Sequence, residues 1–114
     1  MIAVHVTGPA DGRSTASCFL QLSARIVGGG RAITCIRTFS GEPGPNAVVR
    51  IHGTITFRLP HRTIRARVLI VDRFAADGKH ATQRVTGKGI SGGGRFVEDP
   101  PGHVRSSDLH YRVA

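Results

Sequence analysis

Apolar and polar residues alternate along most of this chain with a period of two, and no stretch shows the 3.6-residue spacing of a capped amphipathic helix. The alternation predicts strands at 2–7, 17–27, 31–39, 47–59, 62–74, 79–86, 95–98 and 103–113. Turn-forming clusters separate them: Gly8-Pro9-Ala10-Asp11-Gly12, Ser40-Gly41-Glu42-Pro43-Gly44-Pro45-Asn46 and Asp99-Pro100-Pro101-Gly102. Nothing reads as a linker, so residues 1–114 form one domain. Eight strands of about 9–10 residues with short turns account for a chain of this size. The expected fold is all-β: an eight-stranded antiparallel up-and-down β-barrel.

The longest hairpin allows a test of register. A turn at Pro60-His61 pairs Phe57 with Ile64, Ile55 with Ala66, Gly53 with Val68, Ile51 with Ile70 and Val49 with Asp72. All but the last pair are apolar or glycine on both strands. The opposite face carries Arg58/Thr63, Thr56/Arg65, Thr54/Arg67, His52/Leu69 and Arg50/Val71. A slip of one residue would invert the faces, so this agreement supports the register. One face of the hairpin is expected inside and the other, basic, in water. Pro60 disfavours a primed two-residue turn and favours a four-residue loop of the same parity.

The first hairpin, closed at Gly28-Gly29-Gly30, pairs Leu22 with Ile36, Ala24 with Thr34 and Ile26 with Ala32, and places Phe19 and Phe39 on the reverse face. Cys35 then lies opposite Ser23, five positions from Cys18, or roughly 16 Å at about 3.3 Å per residue. A disulfide needs Cα atoms within about 7 Å, so two free thiols are expected. Free thiols agree with a reducing compartment, and the N-terminal stretch reads as a strand and not as a signal peptide. A cytoplasmic location is the default expectation.

Glycine is frequent, and the segment Val85-Thr86-Gly87-Lys88-Gly89-Ile90-Ser91-Gly92-Gly93-Gly94-Arg95-Phe96 is the richest in it. Gly92, Gly93 and Gly94 read as a structural corner of a closed barrel, where a Cβ would be strained. No apolar run is long enough for a membrane-spanning helix.

The formal charge of +9 raises the question of an anionic partner such as nucleic acid. Yet the basic residues are spread along every strand with few aromatics among them, which reads more readily as a solvated basic exterior. The six histidines have no metal-site spacing, neither HExxH nor CxxC occurs, and no serine sits in a strand-to-helix nucleophile elbow, so no metal, cofactor or hydrolase triad is expected.

Candidate chemistry is sparse. Asp72 falls on the apolar face of the long hairpin, where desolvation would raise its pKa and suit it to acid or base work. A strand-end Asp paired with Arg73 is the plainer alternative. Glu98 and Asp99, in a Pro-bounded loop, are placed to cap an opening. Cys18, Thr34 and Thr38 are candidate polar points on the inner face of the first hairpin. The ligand-facing set is Val49, Ile51, Gly53, Ile55, Phe57, Ile64, Ala66, Val68, Ile70, Leu22 and Ile36. Gly53, between Ile51 and Ile55, is expected to leave room for a guest that Gly53→Phe would fill.

The run Gly53-Thr54-Ile55-Thr56-Phe57-Arg58-Leu59, then Thr63-Ile64-Arg65-Ala66-Arg67-Val68, Val85-Thr86-Gly87, Ile90-Ser91-Gly92-Gly93-Gly94-Arg95-Phe96 and Gly102-His103-Val104, resembles the allene oxide cyclase and dirigent barrel family over residues 47–113. The resemblance implies a calycin-type barrel with an apolar lumen, and a cyclase or isomerase that folds a hydrophobic metabolite for ring closure. It also implies a second candidate catalytic residue, Arg67, near where a dirigent Arg follows its strand glycine. The family's Pro-x-Asn motif has no counterpart here. Members associate through outer strand faces, implying a homo-oligomer, whereas an Arg-rich exterior argues against a tight apolar interface. Three functions therefore stand: a cofactor-independent cyclase or isomerase, a lipocalin-like binder using the same lumen, and a polyanion-binding barrel.

Overall fold

The computed structural model describes every residue from Met1 to Ala114. It contains nine strands and no helix: β1 Ile2–Thr7, β2 Ala10–Arg13, β3 Leu20–Ile26, β4 Arg31–Ser40, β5 Val48–Arg58, β6 Thr63–Phe74, β7 His80–Gly87, β8 Ile90–Glu98 and β9 His103–Val113. From β3 to β9 each strand pairs antiparallel with the next in the chain. β1 and β2 both lie between β9 and β3, one continuing the other. They are one stave broken at Gly8-Pro9, where proline has no N–H to give the ladder. Ser107 bridges the break, its Oγ donating to the Gly8 carbonyl at 2.7 Å. The sheet thus closes as an eight-stranded antiparallel barrel, as the alternation predicted.

The β5–β6 register is the predicted one at every position from Val49/Asp72 to Arg58/Thr63. Its turn closes with the Leu59 N–H donating to the Arg62 carbonyl at 2.9 Å. Other expectations need correction. The β3–β4 pairing is slipped by two residues, with Leu20 opposite Ile36 and Leu22 opposite Thr34. The slip conserves the faces because their period is two. It arises because the turn needs Val27 as well as the three glycines, each of which has φ near or above +90°. Residues 17–19 belong to a loop and not to a strand, and residues 10–12, expected within a turn, belong to β2. β8 begins at Ile90 rather than at residue 95.

The expectation of two free thiols is also overturned, because Cys18 and Cys35 form a disulfide with their Cα atoms 5.4 Å apart. Two departures from straight strands close the gap. The slipped register places Cys35 opposite Gln21, nearer to Cys18. The loop of residues 14–19 then turns back on itself, with the Thr15 N–H on the Cys18 carbonyl and the Cys18 N–H on Thr15 Oγ1. The argument from thiols to a reducing compartment falls with it.

The glycines at 92–94 do not make a turn; they lie inside β8, and the turn is Lys88-Gly89. Their φ angles are +144°, +144° and +157°. A Cβ on Gly92 or Gly94 would meet a β9 carbonyl oxygen at 2.1 Å, and one on Gly93 would meet the Gln83 carbonyl of β7 at 1.9 Å. The backbones of three strands converge here, which only glycine permits. Gly53 is a second such position. Its Cβ would lie 1.9 Å from the Cys35 carbonyl, so the space beside it is filled by β4 and is not part of a lumen. A bulge in β4 between Ile36 and Thr38 reverses the facing of the residues that follow. Phe39, expected outside with Phe19, pairs with Ile51 and turns to the barrel mouth.

The two ends of the barrel differ. The end holding the chain termini and the tight turns is packed solid, with Phe57 and Val85 at 0% exposure and Val113 at 1%. The end with the longer connections, at 14–19, 41–47, 75–79 and 99–102, is hollow.

Gly93→Ala is expected to cost more than about 2 kcal/mol in denaturant unfolding, from strain and backbone clash together. Replacing both cysteines with alanine is expected to cost about 3 kcal/mol, as for a closed loop of this size, with the β-sheet circular dichroism retained.

Candidate functional site

Strands β3 to β9 send their inward residues into one cavity of about 460 Å³ that opens at the loop end. Alternation sets most of the lining: Leu20, Leu22 and Ala24 of β3, Val49, Ile51 and Ile55 of β5, and Leu109 and Tyr111 of β9. Tyr111 forms its floor, and Phe57 of the packed end lies beneath it, edge to face with centroids 5.5 Å apart. At the mouth Phe19 and Phe39 pack 4.7 Å apart while remaining 57% and 43% exposed. Phe19 is held there from three sides. Its N–H donates to the Ile36 carbonyl, Ser14 Oγ donates to its own carbonyl, and its neighbour Cys18 is tied to β4.

The polar groups gather on one wall. Asp72 is only 7% exposed and its Oδ1 has no hydrogen-bond partner. Burial in apolar surroundings raises its pKa to about 7, the charge of Glu98 adds to the rise, and the Gln83 amide works in the opposite direction. Gln83 stands directly across from Asp72 in the β6–β7 ladder. It accepts a hydrogen bond from Tyr111 Oη at 2.5 Å, and burial together with the Asp72 charge keeps that phenol protonated well above its usual range. Glu98, half-buried at the end of β8, accepts the Gly102 N–H at 3.3 Å, and burial raises its pKa too. A carboxyl that titrates near neutrality, one of its oxygens without a partner, in a largely apolar cavity beside a phenol, is equipped to give or take a proton.

Six of the expected ligand-facing residues line this cavity: Leu22, Ile36, Val49, Ile51, Ile55 and Ile70. Thr34 lines it as well. Phe57, Ile64, Ala66 and Val68 do not, because they belong to the packed end. Gly53 does not, for the steric reason given above. Arg67 is exposed on the outer face, of opposite parity to Asp72 on the same strand, so the two cannot act on one substrate. Thr38 is exposed, Cys18 is in the disulfide, and Asp99 pairs outside with Lys79 and Arg105. The sequence reading missed Gln83, Tyr111, Glu42, Phe19 and Phe39. Gln83 and Tyr111 were within reach of it, since alternation on β7 and β9 faces them inward with Val85 and Leu109. Phe39 was not, because nothing local announces the β4 bulge.

One group outside the cavity has metal-binding donors. His5 and His110, directly opposed across β1 and β9 with stacked rings 4.0 Å apart, both approach Asp108 Oδ1, at 2.6 and 3.2 Å. Their donor atoms lie within 4.8 Å of one another on the exposed outer surface.

Compared with known proteins, the chain matches no family model, no curated protein and no solved structure.

The raised pKa of Asp72 has a sign that can be checked. Between its unfolded pKa of 3.8 and about 7 the folded chain holds the extra proton, so stability falls as pH rises through that window. A rise of about 3 units corresponds to a cost of about 4 kcal/mol above pH 7. Asp72→Asn should therefore stabilise the protein by a few kcal/mol at pH 8 and hardly at all near pH 4, read from urea unfolding at the two pH values.

Proposed function

We propose that the barrel takes a hydrophobic small molecule into its cavity and isomerises or cyclises it by proton transfer at Asp72. The observation that carries this is Asp72 itself: a carboxyl buried in an apolar hollow, with an unpartnered oxygen aimed at no protein donor, titrating near pH 7. A carboxyl whose pKa burial brings near neutrality inside a cavity is matched to acid–base catalysis. In an isomerisation the balance closes on the substrate: Asp72 takes a proton from one atom and returns one to another. The apolar walls contribute by holding a flexible molecule in the reactive conformation, which lowers the entropic part of the barrier. Tyr111 and Gln83, beside Asp72, supply a phenol and an amide to polarise a substrate oxygen. The resemblance of residues 47–113 to allene oxide cyclases and dirigent barrels points the same way and supports a role in small-molecule biosynthesis.

A non-catalytic carrier is the second reading. It draws support from the lining, which is apolar apart from this one wall and the rim.

The neutral bicyclic ketone 2-tetralone separates the two. In D₂O at pD 8 the protein is expected to speed deuterium exchange at its α-carbon, followed by proton NMR, by at least about tenfold over buffer. Asp72→Asn should abolish the enhancement, and Thr34→Trp, which fills the hollow, should abolish binding while the barrel stays folded. Saturable binding without enhanced exchange would leave a carrier.

A further inference from the structure

The seven carboxylates of this chain fall into two groups. Asp11, Asp77, Asp99 and Asp108 all lie on the outside, and each is paired with a basic side chain: His103, His80, Lys79 with Arg105, and His5 with His110. Glu42, Asp72 and Glu98 have no basic partner, and these three are the carboxylates that line the cavity. None of the sixteen Lys and Arg residues lines it, and no histidine does. A chain of net charge +9 therefore keeps its hollow free of positive side chains and edges it with three acids.

We infer that the cavity is built for a molecule with an apolar body and a protonated nitrogen, the nitrogen seated against the Asp72–Glu98 wall. The inference rests on the cavity being the ligand site proposed above and names the class of ligand that enters it. Two half-buried to buried acids near one another raise each other's cost of ionisation, and an ammonium group is the partner that relieves both. An ammonium also has N–H donors for the orphaned Oδ1 of Asp72. A carboxylate ligand would meet the opposite: no counter-ion inside, and like charge at Glu42 on the rim and Glu98 within. The aromatic pair Phe19 and Phe39 at the mouth presents ring faces that a passing cation can also use. The positive exterior opposes a cation only weakly, since its charges stand in water and are largely screened beyond about 8 Å at physiological ionic strength.

Three probes of one shape and different charge test this: 1-naphthylmethylamine, 1-naphthalenemethanol and 1-naphthaleneacetate, titrated at pH 8 by calorimetry. The amine is expected to bind at least about tenfold more tightly than the alcohol, the gain of one charge-assisted contact, and the acetate more weakly than either. Glu98→Gln should remove most of the amine's advantage over the alcohol. If the alcohol binds as well as the amine, or the acetate binds best, the charge preference is wrong and the cavity remains a ligand site. If none of the three binds, the cavity reading fails together with it.

Discussion

The interior of an eight-stranded barrel is small, and that constraint governs everything else in this molecule. Eight strands enclose a space that ordinary side chains fill, so a lumen for a guest exists only where bulky residues are withheld. Here the volume is divided lengthwise. Phe57, Val85 and Val113 close one end, and the small residues Ala10, Ala24, Ala32 and Thr34 leave the other hollow. Tight closure in turn demands close backbone approach, and Gly53 and the three glycines of β8 supply it. The glycines make the cavity indirectly, by letting the sheet bend enough to close, and they do not line it.

The packed end and the hollow end do different energetic work. Close packing at the first provides the stability from which the second draws. A buried carboxyl with an orphaned oxygen is a standing cost, tolerable only in a framework that is closed on itself and further tied by a disulfide between the loop at 14–19 and β4. The same tie holds Phe19 at the rim, so the element that strengthens the open end also shapes its entrance. Charge follows a matching division. Each carboxylate outside stands against a basic side chain, while those lining the cavity are left for whatever enters.

How much was legible varies with the distance over which each feature is decided. The β5–β6 hairpin could be read in full, because its two strands are long, strictly alternating and joined by a short turn, so every pair tests the same register. Asp72 was found by that register alone. Its neighbours Gln83 and Tyr111 carry the same alternation and went unread; for Tyr111 no short loop ties β9 to β6, whereas Gln83 lies directly across from Asp72 on the next strand. Gly53 was misjudged for a related reason. A missing side chain in a sequence shows an absence of atoms, but whether the vacancy is a hollow or the path of a neighbouring backbone depends on β4, which curves over it. The cysteines failed likewise, since their separation was measured along straight strands that the loop at 14–19 does not follow.

The sequence by itself determined that this chain is a single all-β domain, which faces of its strands turn inward, and that an acid stands on an apolar face, because alternation is a property of neighbours in the chain. Only the tertiary structure decided where the barrel is hollow, that Glu98 lies within it, that two cysteines meet, and that every unpaired carboxylate lines one cavity. Those outcomes depend on how bulges, bends and closing contacts bring remote strands together, and the energy that selects among them is shared across the whole closed sheet.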